Sequence, residues 1–380
     1  MDERMTTRQP GAWWRALVSG AALGGLLMLG GCGFFVDPNS GTGGGSTSSN
    51  VVYVANGTAS TVSGYVIGTG TLTSVAGLPG ALGYVPQAAA VSLANTYLWI
   101  AGPTAIYAYT IGSSGVISSV GAVAASTVLA MDVSPDGQWL VGLDATTQVL
   151  DTFQIDTSTG ALTLVNQVPY TSATGTFAPR SVRFSPDGNY IFGALGASGD
   201  IGFTFTTSTG VAVQTGQTIP TGATTVSDNA VLVNAASNEL FIARSGTVNG
   251  VLAFTIGSGG VLTAVAGSPF AAGTTPYALQ MDKTGTYLYV ANRGSGTISG
   301  YTVATTGGLT ALAGSPFTSG SLVTSLALDS TGTYLLAAAN GGAPDLTMYS
   351  FSATTAGALD MVTTQTAAAN DGSVAVAATH

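Results

Sequence analysis

The chain has 380 residues, of which 54 are glycine, 7% are charged and 46% are apolar. This composition is too apolar for a disordered chain and too rich in glycine, threonine and serine for a helical protein. The formal net charge is -9, whereas nucleic acids and anionic lipid surfaces attract clusters of Lys and Arg. Composition therefore favours an all-β fold and argues against nucleic acid as a partner.

The N-terminal segment differs from the rest of the chain. Three arginines precede an apolar run at 16–31, which has the length of a signal-peptide core and is short for a membrane span of roughly 20 residues. The run ends at Cys32, the only cysteine in the chain. Residues 29–32, Leu-Gly-Gly-Cys, resemble the lipobox of bacterial lipoproteins, in which cleavage precedes a cysteine that becomes acylated. The alternatives are a cleaved secretory signal with an incidental cysteine and an uncleaved anchor helix.

The resemblance implies a signal peptide at 1–31 and a membrane anchor through lipid on Cys32. Gly33, where an aspartate would favour retention at the inner membrane, indicates the outer membrane or the cell surface. Residues 32–50 read as a linker because their Gly/Ser composition is typical of a flexible tether. We therefore expect a lipid-anchored monomer in the bacterial cell envelope. Without the leader, fifteen acidic and five basic residues remain. The basic residues are Arg180, Arg183, Arg244, Lys283 and Arg293.

From residue 51 onward the sequence repeats. An apolar strand recurs in seven copies, 42 to 51 residues apart, with equivalent residues at Tyr53, Trp99, Val141, Phe192, Phe241, Tyr289 and Leu336. A period in the forties is typical of the four-stranded blade of a β-propeller. The sequence predicts that residues 51–380 form a seven-bladed β-propeller of four-stranded antiparallel blades.

Each copy follows the same order of strands. A turn such as Ser-Pro-Asp-Gly at 134–137 separates the innermost strand from the repeated one. The third strand carries an aromatic residue suited to packing between blades, at Tyr65, Tyr109, Phe153, Phe205, Phe254, Tyr301 and Phe351. The first copy lacks its innermost strand, and 372–379 has the apolar alternation to supply it. We expect strands from both ends of the chain to close one blade.

The stretch 179–192, PRSVRFSPDGNYIF, and the repeated YVAN phrases resemble the seven-bladed lactonase-like propellers, which include bacterial 6-phosphogluconolactonase and the YVTN-repeat proteins. The resemblance covers residues 51–380 and implies the same fold. Arg180 matches the arginine of the lactonases. Ser181 stands where they have histidine, and the strand that begins at Tyr190 lacks their glutamate.

Loops that follow the second strand and precede the first open on one face of a propeller. This geometry predicts a ligand-binding mouth formed by Asn56, Asp144, Arg180, Arg244, Asn292 and Arg293. The alternative is that Arg180 pairs with a neighbouring carboxylate or caps carbonyl groups and that the others are solvated loop residues. No His or Cys cluster suggests a metal site, and no cofactor is expected.

The chemistry of the predicted mouth bears on function. Lactone hydrolysis needs a base to activate water and a positive group to stabilise the oxyanion. Candidate bases are the Asp side chains, Glu239 and His380, of which Asp144 is the best placed, and Arg180 is the candidate positive group. A carboxylate beside arginine is, however, a poor base at neutral pH. The sequence therefore favours an extracytoplasmic binding or scaffold module for a protein or carbohydrate partner. A lactonase-type hydrolase, 6-phosphogluconolactonase-like with a rearranged site, is the alternative, and a purely structural envelope protein is a third possibility.

Overall fold

The computed structural model describes residues 50–171, 178–219, 221–223, 225–341, 344–365 and 372–380. The described strands form seven antiparallel sheets of four principal strands each. Their innermost strands contact one another in a closed ring. The predicted all-β, seven-bladed β-propeller is therefore confirmed. No helix in the described part of the chain is long and apolar enough to cross a membrane.

The blades, numbered 1 to 7 in chain order, contain a first strand nearest the axis and a fourth strand at the rim. The first strands of blades 1 to 7 are Ser373–Ala378, Ala88–Val91, Val128–Val133, Ser181–Phe184, Val226–Val233, Pro276–Met281 and Val323–Leu328. The second strands are Val51–Asn56, Tyr97–Ala101, Trp139–Asp144, Tyr190–Ala194, Glu239–Gly246, Tyr287–Asn292 and Tyr334–Ala339.

The outer half of each blade completes the sheet. The third strands are Thr61–Gly68, Ala105–Ile111, Val149–Ile155, Asp200–Thr206, Gly250–Ile256, Thr297–Val303 and Leu346–Phe351. The fourth strands are Thr71–Ser74, Ile117–Ala125, Leu162–Pro169, Val211–Ile219, Leu262–Ala264, Leu309–Ala311 and Leu359–Gln365. Short additional strands at Gly80–Ala81 and Phe317–Thr318 pair with the third strands of blades 1 and 6, and Ser258–Gly260 is a 3-10 helix.

Blade 1 is closed by the two ends of the propeller. Ser373–Ala378 pairs antiparallel with Val51–Asn56. The backbone N–H of Val51 donates to Thr379 Oγ1 at 2.9 Å, and the N–H of Thr379 donates to the Val51 carbonyl at 2.9 Å. The closing strand predicted from the sequence is confirmed, and it covers the inner edge of the second strand, Val51–Asn56.

The repeated strand supplies the core between blades. Its seven aligned residues are all at most 1% exposed. In the third strands, however, the aromatic residue at the equivalent register is Phe203 in blade 4 and Tyr349 in blade 7, two residues before the predicted Phe205 and Phe351. Alternate residues of a strand point to the same face, so both aromatics of each pair lie on one side of the sheet.

The two ends of the central channel are built differently. One end, the turn face, consists of the turns between first and second strands, such as 134–137, where Ser134 Oγ accepts from the Trp139 N–H at 2.9 Å. Gly137 there has φ 70°, a conformation that suits glycine. Asn50 also lies on the turn face, since its Nδ2 donates to Asp329 Oδ2 in the turn of blade 7. The opposite end, the mouth face, is where first strands begin and second strands end.

Candidate functional site

The mouth face contains a cavity of about 400 Å³ at the end of the central channel. Its polar lining includes Gln87, Arg180, Asn229, Tyr277, Arg293 and Asn340. Arg183, deeper in the channel, also borders it, and no carboxylate or imidazole belongs to its described lining. A protein with net charge -9 thus concentrates three of its guanidinium groups around one opening. An anionic ligand is the electrostatic complement of such a cavity.

Bulges in the first strands shape this cavity. In blades 1, 3, 5, 6 and 7 the first strand carries an extra residue near its mouth end, where pairing with the second strand shifts register. The extra residues are Val374, Leu129, Asn229, Tyr277 and Thr324, and all of them line the cavity. A bulge turns a side chain away from the alternation of the strand, and bulges are frequent beside active sites.

Arg293 follows the second strand of blade 6 and belongs to the mouth. Its guanidinium carbon lies 5.1 Å from the centre of the Tyr277 ring, which is a cation–π contact. Its Nε is buried and has no hydrogen-bond partner among the described residues. The aromatic ring therefore orients a guanidinium that makes no ion pair among the described residues.

Arg180 lies across the same cavity, before the first strand of blade 4. Its backbone N–H donates to the Ala194 carbonyl at 2.9 Å, which fixes the main chain at the mouth, and its side chain is exposed. No ion pair between a carboxylate and Arg180 or Arg293 occurs within the described ranges. Of the six residues predicted from the sequence to form the mouth, the structure brings Arg180 and Arg293 together on this cavity.

Asn56 and Asn292 occupy equivalent places in blades 1 and 6 and are buried. Asn56 Nδ2 donates to Thr61 Oγ1 and Ser63 Oγ, at 3.1 and 3.0 Å. Asn292 Nδ2 donates to Thr297 Oγ1 and Ser299 Oγ, at 3.2 and 2.9 Å. Both amides join second and third strands of their own blade, and neither belongs to the cavity lining. That they contact a ligand stays a prediction from the sequence.

The Asp144 carboxylate also accepts hydrogen bonds from neighbouring residues of its own blade. Its Oδ2 accepts from Thr127 Oγ1 at 2.6 Å, and its Oδ1 accepts from the N–H groups of Thr146 and Thr147, at 2.7 and 2.9 Å. Burial by itself raises the pKa of Asp144, but these hydrogen bonds outweigh it and hold the pKa below its usual value. A carboxylate of lowered pKa is a weak base, and Asp144 is not part of the cavity lining.

Arg244 lies inside the junction of blades 4 and 5. Its Nε and Nη2 each donate to a different carboxylate oxygen of Asp228, both at 2.6 Å, and the arginine is 7% exposed. Burial raises the pKa of the neighbouring Asp200 well above its usual value, and the Asp228 carboxylate raises it further. The Asp200 carboxyl is therefore neutral well above the pH at which an exposed aspartate ionises. Arg244 and Asp228 of blade 5 therefore form a buried ion pair next to the Asp200 carboxyl of blade 4.

Sequence reasoning missed Asn229 and Tyr277. Asn229 Nδ2 donates to Ser245 Oγ and to the Pro276 carbonyl, at 2.9 and 2.8 Å, which ties blade 5 to blade 6 at the rim of the cavity. Asn229 lies in the first strand VSDNAVLV and Tyr277 in the first strand PYALQM, and neither was among the residues predicted to form the mouth. Only the position of polar and aromatic side chains at the mouth end of those strands could have indicated them.

A comparison with models of protein families identifies the family of this chain. Residues 125–324 match the model of the family described as lactonase, 7-bladed beta-propeller, and this match spans more than half of the 380 residues. The chain therefore belongs to the lactonase family of seven-bladed propellers. A comparison with curated proteins gives no match.

Solved structures share the fold at low sequence identity. A candidate 6-phosphogluconolactonase from Bacteroides uniformis has a TM-score of 0.71 at 18% identity, over 87% of this chain and 99% of that one. A candidate 6-phosphogluconolactonase from Bacteroides fragilis has a TM-score of 0.69 at 16% identity, over 89% and 100%. The periplasmic gluconolactonase of Pseudomonas aeruginosa has a TM-score of 0.63 at 16% identity, over 87% and 97%.

Proposed function

We propose that this protein is a lactonase-type hydrolase that binds an anionic sugar lactone in the mouth cavity. Family membership shifts the balance from the binding or scaffold role that the sequence favoured to the lactonase alternative. The observation that carries the proposal is the convergence of Arg180 and Arg293 on a cavity whose described lining holds no carboxylate. The relatives named for lactonase activity toward gluconate-type lactones support the choice of substrate class.

The chemistry of the proposed reaction follows from the charges. Attack of water on the lactone carbonyl places negative charge on its oxygen, and guanidinium groups already fixed in place stabilise that charge without reorganisation. Arg293, oriented by Tyr277, is suited to this role. Arg180 is suited to the carboxylate or phosphate of the substrate because an arginine fork matches such groups. Since the described lining offers no carboxylate or imidazole to act as a general base, the rate should rise with hydroxide concentration.

The test is hydrolysis of 6-phosphogluconolactone and of gluconolactone by the full-length protein in detergent micelles. We expect saturable hydrolysis above the buffer rate, and Arg293→Gln should lower kcat/KM by about 100-fold, the cost of losing one oxyanion donor. Lys283→Gln is the matched control, because it removes a cation from the turn face, where Lys283 Nζ donates to the Thr331 carbonyl. Equal losses in both variants would contradict the proposal.

A binding module without turnover is the second candidate function. It is favoured by the absence of carboxylate and imidazole groups from the described lining of the mouth. Calorimetry separates the two candidates. Binding of 6-phosphogluconate that needs Arg180 and Arg293, together with hydrolysis no faster than in buffer, would establish the binding module and reject the hydrolase.

We also propose that Cys32 carries the lipid and that the mouth faces away from the membrane. The signal peptide, Cys32 and most of the linker lie outside the described residues. Support comes from Asn50, which holds the start of the propeller on the turn face, opposite the mouth. Cells fed a labelled fatty acid should label the wild-type protein and not Cys32→Ala. Label that is absent from wild type, or retained in the variant, would contradict the anchor.

A further inference from the structure

A second cavity lies inside the channel, on the side of the turn face. The register of the first strands places one residue of each blade opposite the aligned core residue of the second strand. These residues form one level of the channel, which we call the channel ring: Ala377, Ala90, Asp132, Arg183, Leu232, Gln280 and Ala327. The small side chains of the three alanines, on the adjacent blades 7, 1 and 2, leave an open space in the channel. The polar side chains of Asp132, Arg183 and Gln280, on blades 3, 4 and 6, border this space.

The channel ring encloses a cavity of about 120 Å³. Every member of the ring except Leu232 lines it, together with turn-face residues such as Leu93, Pro135 and Ser330. The side chains of the channel ring therefore determine the size of this cavity. None of the bulged residues of the mouth lines it. Arg183 alone among the polar ring residues also borders the mouth cavity.

The polar groups of the ring are held by the fold and still reach the cavity. Arg183 Nη1 lies 3.7 Å from Asp132 Oδ1, an ion pair longer than a hydrogen bond. Asp132 Oδ2 accepts from the Phe184 N–H at 2.8 Å, which fixes the carboxylate. Gln280 is 6% exposed, and its Nε2 donates to the Met281 carbonyl at 3.0 Å.

The second carboxylate at this cavity is occupied by turn contacts. Asp329 Oδ2 accepts from Asn50 Nδ2 and from Thr331 Oγ1, and its Oδ1 accepts from the Tyr334 N–H at 2.7 Å. His380 also lines the cavity, where its backbone N–H donates to Asn95 Oδ1 at 2.7 Å and its carbonyl accepts from Asn95 Nδ2 at 2.8 Å. Within the channel ring itself, Asp132 and Arg183 are the charged pair. A guanidinium binds a carboxylate, and the adjacent carboxylate accepts a hydrogen bond from a hydroxyl group.

We propose that the channel ring binds a small hydroxycarboxylate, with its carboxylate on Arg183 and its hydroxyl group donating to Asp132. A dianion such as phosphate is disfavoured because Asp132 lies beside the only guanidinium of the ring and like charges repel at this distance. A neutral polyol lacks the anion that Arg183 would bind. The volume suits an acid of the size of lactate or glycerate. This inference is independent of the function proposed for the mouth.

The test is thermal shift and calorimetry of the full-length protein in micelles with glycerate, glycerol and inorganic phosphate. We expect glycerate to bind and the other two not to. Ala327→Leu should abolish binding by filling the cavity, and Arg183→Gln should weaken it by about 10- to 100-fold through loss of a charged hydrogen bond. Arg180→Gln, which alters the mouth and not the ring, is the matched control and should leave the affinity unchanged.

Asp132→Asn keeps the shape of the side chain and tests the second contact. By removing the negative charge beside Arg183, it should raise the affinity for phosphate relative to that for glycerate. The protein should retain its unliganded melting temperature within a few degrees, which guards against variants that simply misfold. Failure of glycerate to bind would overturn the proposal, as would retained binding in Ala327→Leu or loss of binding in Arg180→Gln. Phosphate that binds as tightly as glycerate would overturn the assigned ligand class.

Discussion

Arg244 of blade 5 and Arg293 of blade 6 stand at nearly the same height of the propeller and are used in different ways. Arg244 is 7% exposed and donates twice to Asp228. Arg293 leans over the ring of Tyr277 and has no carboxylate partner within the described ranges. Burial of a charge is costly unless it is paired, so the paired arginine serves the fold. The arginine without such a pair has its charge available to a ligand.

The difference also shows that the position of an arginine in the repeat does not by itself predict whether it binds a ligand. Both arginines lie near the mouth end of a second strand, and the sequence predicts both at the mouth. What separates them is the residue opposite: Asp228 faces Arg244 across the strand pair, whereas Pro276 faces the strand end beside Arg293. A proline supplies no charge and no N–H donor. The neighbouring strand therefore decides whether an arginine at the mouth end is neutralised.

The largest expected effect is on stability. Arg244→Gln should lower the free energy of unfolding by about 3–5 kcal/mol, because it leaves the buried Asp228 carboxylate without its partner. Arg293→Gln should cost less, about 1–2 kcal/mol, because it removes a partly buried cation–π contact and no ion pair. Urea denaturation followed by circular dichroism measures both. Equal costs would mean that the two arginines do not divide into a structural and a ligand-facing role.

The second prediction concerns pH and the Asp200 carboxyl next to the same ion pair. The folded-state pKa of Asp200 is raised above its unfolded value, so its contribution to stability is full below the unfolded pKa and is lost as pH rises through the folded one. Asp200→Asn keeps the shape of the side chain and cannot ionise. The variant should therefore gain stability relative to wild type as pH rises.

Unfolding free energies at several pH values between 4 and 9 check this expectation. The matched control is Asp360→Asn, which makes the same change at an exposed position of a fourth strand. Its difference from wild type should not follow the trend of Asp200→Asn. A difference between wild type and Asp200→Asn that stays constant with pH would show that the pKa of Asp200 is the same in the folded and unfolded states.

Much of the fold could be predicted because blades repeat a period-2 pattern. The aligned residues from Tyr53 to Leu336 all occupy equivalent core positions, and the closing strand lies where the first copy lacked one. The register of the third strands was ambiguous in blades 4 and 7. Phe203 and Phe205 are two residues apart and so point to the same face, and apolar pattern alone does not say which one lies opposite the second strand.

Less of the candidate site could be predicted. Loop position indicated Arg180 and Arg293, but Asn229 and Tyr277 reach the cavity through bulges. A bulge arises when two residues of one strand lie opposite one residue of the next, so the sequence of a single strand does not reveal it. One signal was present in the sequence: Thr and Ser follow Asn56 by five and seven residues, and the same spacing follows Asn292. Repeated polar spacing of this kind indicates contacts inside a blade.

The smallest expected effect separates Asn292 from its neighbour Arg293. Asn292→Ala removes the hydrogen bonds to Thr297 Oγ1 and Ser299 Oγ, and should cost about 1–2 kcal/mol of stability. Asn56→Ala should cost a similar amount, because the same two contacts recur in blade 1. In lactone hydrolysis both variants should keep the KM of wild type, since neither amide lines the mouth. A raised KM in Asn292→Ala with unchanged stability would return Asn292 to the ligand-binding set that the sequence predicted.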